Sequence, residues 1–378
     1  MGKLKLCFPR LGDYHVAFHS ILKVIYPQAE VVTPPPMTKE TVALGTRNSP
    51  DSICAPFKYN LGNYIQALEQ GANVLFQTGT GCRFGYYGPV QEQILRDLGY
   101  DFRFIWISRY KINPGKIMRD LKSLDPTLTP GRAIRGGLLG LGEILLMDRM
   151  DYYLREHIGF EVEEGAFERA KEAFLTDLAA VSNWRELLTA ARKHRRAYRA
   201  VPTNMPKHPL RVGVIGELYT LMEPFSNFYL EKQLARYHIV VSRRMSVTFL
   251  LLTRSDRRAL RQSRGYLKYT VGANGVDSVA QARGYAKRGY DGLIHMKSSG
   301  CTPEINAEPM LLRLVKDYQI PLLRLSFDAQ NGDTGMQTRI EAFADMLQMK
   351  KDDKSNGDKT HSWGRRGVDF YEGRTAQS

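Results

Sequence analysis

The chain has 378 residues, with 54 Lys and Arg against 39 Asp and Glu, a formal net charge of +15, and four cysteines. Such a length accommodates two or three domains with real cores. No stretch approaches the roughly 18 apolar residues of a membrane-spanning helix, the start MGKLKLCFPR shows no signal-peptide pattern, and so few cysteines do not form a disulfide framework; a soluble cytoplasmic protein is therefore expected.

Lys3 to Phe8 reads as a strand, Asp13 to Ile25 as a helix and Ala29 to Thr33 as a second strand, a βαβ opening that the prolines Pro34 to Pro36 carry into an extended segment. Asn60 to Gln70 is helical in pattern and closed by Gly71. Asn73 to Gln77 is a strand, Pro89 to Leu98 a helix closed by Gly99, and Phe102 to Ile107 a strand. Between Gly140 and Arg199 the pattern becomes long and amphipathic, including Leu141 to His157 and Glu164 to Ala180, and Val201 to Pro209 marks a boundary. Strands at Leu210 to Ile215, His238 to Val241, Leu293 to Met296 and Pro321 to Ser326 then alternate with helices near Pro224 to Arg236, Val276 to Arg288, Pro303 to Tyr318 and Met336 to Leu347. The expected fold is α/β, with two Rossmann-like parallel-sheet domains. The first spans 1–139, a helical connector 140–208 and the second 209–349, while the polar, Gly-rich 350–378 is expected to be a disordered tail.

The positive charge is spread along the chain, densest at Arg192 to Arg199, Arg243-Arg244 and Arg254 to Arg264. No zinc finger, RRM signature or KH loop accompanies these runs, so solvated helix faces are expected rather than a nucleic-acid surface.

Cys54, Cys82 and Cys301 each lie beside glycine or proline in a loop, and the latter two follow apolar runs that read as strands. Loops after the carboxyl ends of parallel strands converge on one crevice, so thiolates distant in sequence can meet there. Three thiolates leave one iron of a cubane open, which suits a cluster that does chemistry. Packed free thiols are the alternative, because no CxxC, CxxH or HExxH occurs. Cys7, inside the apolar run Leu4 to Phe8, reads as an inert core thiol.

Thr302-Pro303-Glu304 has the form of a helix start, with threonine as cap, which would put a positive dipole end beside Cys301. Arg83 adds a fixed charge beside Cys82, and both features favour thiolate. Gly79-Thr80-Gly81 and Gly213 to Glu217 follow strands but match neither GxGxxG nor GxxxxGK[ST], so tight turns are expected there. Phe84-Gly85-Tyr86-Tyr87 reads as core packing that would also exclude water from a neighbouring site, and His295 as a core histidine. Glu217 is open to either an acid/base or a capping role.

Several segments together resemble the iron–sulfur subunits related to 2-hydroxyacyl-CoA dehydratases, most closely the acyl-CoA dehydratase activase-related or CoA protein activase proteins. They are Phe8-Pro9-Arg10, Ser52 to Lys58, Gly81 to Tyr87, Gly216 to Tyr219 with Pro224 and Asn227, Gly289 to Gly292, Gly300 to Glu304, and Thr338 to Phe343, in order along the chain. The resemblance implies two Rossmann-like domains with a helical element and a [4Fe–4S] cluster in the interdomain cleft, held by Cys54, Cys82 and Cys301, with no counterpart for Cys7. It also implies a separate ATP-hydrolysing activase of the sugar kinase, Hsp70 and actin superfamily as the source of low-potential electrons for reduction or dehydration, and an assembly as a homo- or heterodimer. Related sequences often carry an acidic residue and a histidine before the Thr338-Arg339 segment, where this chain reads Ser326 to Asp333. With four cysteines, one chain falls short of the roughly six ligands of a double cubane. The competing class is a non-enzymatic regulatory or binding module with structural cysteines and basic docking patches.

Overall fold

The computed structural model describes residues 3–79, 82–108, 113–327 and 333–355. Two four-stranded parallel sheets organise them. The first comprises β1 (Lys5–Cys7), β2 (Glu30–Val31), β3 (Val74–Gly79) and β4 (Arg103–Ser108), in the order β2-β1-β3-β4. The second comprises β5 (Leu210–Gly216), β6 (Ile239–Arg243), β7 (Gly292–Ser298) and β8 (Leu322–Phe327), in the order β6-β5-β7-β8. The two orders are the same: in each, the chain starts in an inner strand, steps outward once, then returns to the other side. That reversal opens a crevice beyond the strands' carboxyl ends.

Helices cover both faces of each sheet, as parallel strands require. In the first half these are α1 (His15–Ile25), α2 (Lys39–Arg47), α3 (Ala55–Glu69), α4 (Tyr87–Asp97) and α5 (Pro114–Leu124). Phe57, Leu61 and Leu68 of α3 and Leu95 of α4 bury one face of β3, while Leu22 and Ile25 of α1 and Leu121 and Leu124 of α5 bury the other. In the second half α9 (Leu218–Met222), α10 (Leu230–Ala235), α11 (Asp256–Gln262), α12 (Gly275–Lys287), α13 (Thr302–Tyr318) and α14 (Asp333–Ser355) repeat the plan. Leu230, Leu234, Ile340, Phe343 and Leu347 line one face of the second sheet, and Val276, Val279, Leu311 and Leu314 the other.

The amphipathic middle of the chain forms α6 (Pro130–His157), α7 (Ala166–Ala179) and α8 (Trp184–Ala200). Phe167, Phe174, Leu178 and Tyr198 build a core that also takes Ala17 of α1 and Met222 of α9, so this layer joins the two sheets. Helix α6 runs unbroken across residues 139 and 140, because it starts at Pro130, capped by Thr129 Oγ1. Polar contacts reinforce the joint: Lys171 pairs with Asp13 at 2.7 Å and Asp151 at 3.5 Å, and Gly12 N–H donates to Glu223 Oε2 at 2.6 Å. Gly12 has φ +48°, and a Cβ there would lie 2.5 Å from Met222 O, so the two halves meet backbone to backbone.

Elsewhere the structure departs from the sequence expectations at element ends. The helix expected over Pro224 to Arg236 is broken: Phe225–Asn227 is a 3-10 turn, Phe228 and Tyr229 adopt φ of +53° and +54°, and only Leu230–Ala235 is helical. Helix α14 continues to Ser355, six residues into the segment read as a tail; 356–378 lies outside the described residues. Arg243 is no surface cation but a buried strand residue paired with Glu231, and Arg254 is held by Asp277 and Asp256, both at 2.7 Å. Arg192, Arg196 and Arg199 do form a solvated face of α8, with His194 and Tyr198 turned inward.

Helices α2 and α3 cross at two glycines. A Cβ on Gly45 would stand 1.7 Å from Lys58 O, and one on Gly62 1.9 Å from Thr41 O. Gly45→Ala is expected to force the helices apart and to cost about 2 kcal/mol, the range of a core overpacked by one group, read as a lower urea midpoint at unchanged slope; an unchanged midpoint would show that the crossing is not close-packed.

Candidate functional site

Each of the three loop cysteines stands at the amino end of a helix. Cys54 is the N-cap residue of α3, with extended backbone (φ −71°, ψ 153°) and Pro56 in the first turn. Cys301 is the N-cap of α13, with Pro303 in its first turn. Cys82 caps the 3-10 turn Arg83–Tyr86 that leads into α4, and its Sγ accepts from Phe84 N–H at 3.4 Å. Cys82 follows the last residue of β3 at the same interval as Cys301 follows the last residue of β7. A pattern of strand, short turn and capped helix explains why both thiols reach the carboxyl edges of their sheets.

The three line one cleft of about 260 Å³, together with Pro56, Arg83, Phe84, Tyr87, Glu217, Leu218, the loop 271–274, Gly300 and Pro303. Close contact between the halves closes its floor: Ala55 N–H donates to Ser298 Oγ at 2.9 Å, and a Cβ on Gly300 would lie 3.3 Å from Cys54 Cα. Tyr87, 2 % exposed, hydrogen-bonds Cys54 Sγ and packs its ring 4.9 Å from Phe57 and 5.2 Å from Phe84. Within the aromatic stretch, Tyr87 and Phe84 pack as expected, whereas Tyr86 is 69 % exposed. Cys7 is apart from this group, fully buried in the core with Phe57 and Leu61, its thiol directed at Phe8 O.

Burial dominates the thiols' electrostatics. It pushes Cys54 up to about 12, partly offset by the Tyr87 hydrogen bond. It raises Cys82 as well, against the pull of Phe84 N–H and, to a smaller extent, Arg83. Cys301 is raised further, by burial and then by the carboxylates of Glu217 and Glu304. Burial outweighs the pull of Phe84 N–H, Arg83 and the Tyr87 hydroxyl, so the net shift of all three thiols is upward.

Glu217 takes the capping role. Its carboxylate accepts from Tyr219 N–H and Thr220 N–H, both at 2.8 Å, and from Thr220 Oγ1 at 2.7 Å. His295 is a half-satisfied core residue: Nε2 lies 2.8 Å from Glu304 Oε2, while Nδ1 has no hydrogen-bond partner among the described residues. Ser278 donates to the other Glu304 oxygen at 3.0 Å, so α12, β7 and α13 are tied together behind Cys301. The threonine expected as cap is instead the first helical residue, and no side-chain bond caps α13. Gly79 is the last residue of β3, and Thr80 and Gly81 lie outside the described residues, as does most of the divergent stretch after Phe327.

Sequence reasoning missed α2 entirely, the true start of α3 at Cys54, and the loop 271–274. The signal for the last was present in Asn274-Gly275 ahead of a helical pattern.

The donor set suits a cluster better than a single ion. Among the described residues no three His, Cys, Asp or Glu side chains gather closely enough to hold one metal ion. A cubane differs, because each thiolate binds its own iron and the three sulfurs need only surround it. Three thiols from three loops, Cys54 and Cys301 at helix N-termini and Cys82 at a 3-10 turn, with no histidine lining the cleft, fit that requirement. No helix of the described residues is long and apolar enough to cross a membrane.

Residues 279–347, from α12 to α14 and including Cys301, match the family model of the 2-hydroxyglutaryl-CoA dehydratase D-component. The match relates the chain to the 2-hydroxyacyl-CoA dehydratases. No curated protein matches it.

Because Thr302 makes no cap bond, Thr302→Ala is expected to change stability by no more than about 0.5 kcal/mol. A loss near 1 kcal/mol in chemical denaturation, the value of a lost cap, would restore the threonine as the cap.

Proposed function

We propose that this relative of the 2-hydroxyglutaryl-CoA dehydratase D-component is an oxygen-sensitive iron–sulfur component that holds a [4Fe–4S] cluster through Cys54, Cys82 and Cys301. It works in the cytoplasm with a separate ATP-hydrolysing activase, in the reduction or dehydration of a substrate for which a CoA thioester is the first candidate. The observation that carries the reading is the convergence of three helix-capping cysteines, from both halves of the chain, on one cleft. Bound there, such a cluster would supply a low-potential electron and an iron without a protein ligand.

The chain's own residues prepare the place. The N-termini of α3 and α13 direct partial positive charge at the cleft, and Arg83 adds a full one. Phe84, Tyr87, Leu218 and Val271 give it an apolar wall, which strengthens every charge interaction inside by keeping water out. The Tyr87 hydroxyl orients Cys54 Sγ. Neither a P-loop nor a GxGxxG occurs in the sequence, which is why the ATP chemistry is assigned to a partner.

The competing reading, a binding module with packed thiols, separates from this one on anaerobic purification. Brown protein with about four irons per chain supports the cluster; a colourless, air-stable protein overturns it. Cys54→Ala, Cys82→Ala and Cys301→Ala are each expected to lose at least half of the iron and the broad visible absorption, while Cys7→Ala keeps both. Full retention by any of the first three removes that residue from the ligand set.

A second expectation concerns nucleotide. Isothermal calorimetry on the isolated chain should give no ATP binding tighter than about 1 mM, some 4 kcal/mol; micromolar binding without a partner would place ATP chemistry in this chain.

A further inference from the structure

Helix α6 is apolar on both sides. Its inner face buries Leu139, Ile144, Met147, Met150 and Leu154. Its outer face carries Ile134, Leu138 and Leu145 at 60, 51 and 40 % exposure, at the spacing that sets them in one row. A helix apolar all round calls for cover on every side, and a row of large apolar residues open to water, unlike scattered ones, marks a contact surface. Among the exposed residues of α6 the charged ones are Arg135 and Arg149.

Helix α8 lies alongside. Trp184 at its start packs on Gly142, where a Cβ would stand 2.8 Å from the indole ring, and near its end the Tyr198 ring comes within 6.2 Å of that of Tyr153, so α6 and α8 run side by side in the same direction. Trp184 and Leu188, 47 and 50 % exposed, widen the apolar row. Beyond them Arg185, Arg192, Arg196 and Arg199 recur at helical spacing on the solvent side of α8, all of them exposed. The charged pairs of α8 are those of Lys193 and His194 with Asp177, on the edge turned to α7, and the four arginines make none among the described residues. An apolar row and a cationic row therefore lie next to each other on neighbouring helices, about 8–10 Å apart as packed helices are. The surface is separate from the cysteine cleft, to whose lining neither helix contributes.

We propose that the outer faces of α6 and α8 receive an amphipathic helix of an acidic partner protein, its apolar side laid on Ile134, Leu138 and Trp184 and its carboxylates against the arginine row. Charge complementarity selects this occupant. A second copy of the chain would bring arginine to arginine: Glu186 is the one acidic residue among the exposed residues of the two helices, and its carboxylate is taken up by Ser182 N–H and Oγ at 2.8 and 3.0 Å. At a net +15 per chain two copies also repel as wholes. A lipid surface takes apolar side chains that project past the cations on the same helix, whereas here the cations stand on one flank, along a second helix. An amphipathic helix with one acidic edge matches both rows at once.

The test uses the full chain and two dye-labelled synthetic helices of about 20 residues, long enough to lie along both rows, with leucine on one face and either glutamate or lysine beside it. Fluorescence anisotropy should show the glutamate helix binding at least tenfold tighter than the lysine helix, and weakening as salt is raised. Leu138→Glu should weaken the glutamate helix at least tenfold, and Arg192→Glu with Arg196→Glu should turn the preference towards the lysine helix. Arg192→Gln with Arg196→Gln, which should abolish the preference, serves where the reversed pair fails to fold. A glutamate helix that binds no tighter than about 1 mM, equal binding of the two helices, or a preference that the arginine variants leave unchanged overturns the proposal. So does a wild type that sediments as a dimer and splits with Leu138→Glu, which gives the face to a second copy. A wild type that floats with mixed phosphatidylcholine and phosphatidylglycerol vesicles, and ceases to with Leu138→Glu, overturns it in favour of lipid.

Discussion

The structure turns on the direction of its strands. In a parallel sheet every crossover helix begins at the carboxyl edge and returns down the face, so the unpaired N–H groups of the helix starts collect along that edge. Placing two such sheets edge to edge across a cleft brings α3, α4, α12 and α13 to one place without any special device. The chemistry follows from what stands at those starts. Cys54 and Cys301 cap two of them and Cys82 the 3-10 turn that leads into α4, and burial against apolar walls raises all three thiols.

Much of this was legible in the residues. The eight strands were read with small errors at their ends, because short apolar runs bounded by glycine and proline leave little alternative. The cleft's cysteines were legible for the same reason, since Cys82 and Cys301 follow such runs. Helix starts were harder. Cys54 lacks a usual capping side chain, so the pattern over Asn60 to Gln70 gave no sign that α3 begins at Ala55. At α13 a good capping residue, Thr302, drew the start one position too late, while the backbone turned at Cys301. The broken segment at Phe228 and Tyr229 was invisible to periodicity, because two aromatic residues at positive φ are a tertiary outcome and carry no local signature.

The basic runs divide: Arg192, Arg196 and Arg199 are solvated as expected, whereas Arg243 is buried and fastens β6 to α10, and half-buried Arg254 shapes the turn before α12. Tyr14, hydrogen-bonded to Asp148, and Lys171, paired with Asp13, stitch the turn that opens α1 to the helical layer. These two contacts tie the first half to the layer that joins the sheets. The apolar core shared by α1, α6, α7, α8 and Met222 does the same with greater area.

The division of the cysteines between the halves has a consequence for the life of the protein. Cys54 and Cys82 belong to one sheet's loops and Cys301 to the other's, so a group bound by all three is a cross-link between segments more than two hundred positions apart. Anything that binds the folded form alone adds its binding free energy to stability. Were the proposed group bound there, loading would become part of quality control: a chain starved of it would open more often along the cleft, expose Ala55 and Ser298 to water, and be cleared by proteases sooner than its loaded sibling. Abundance in the cell would then report supply of the bound group as well as synthesis of the chain.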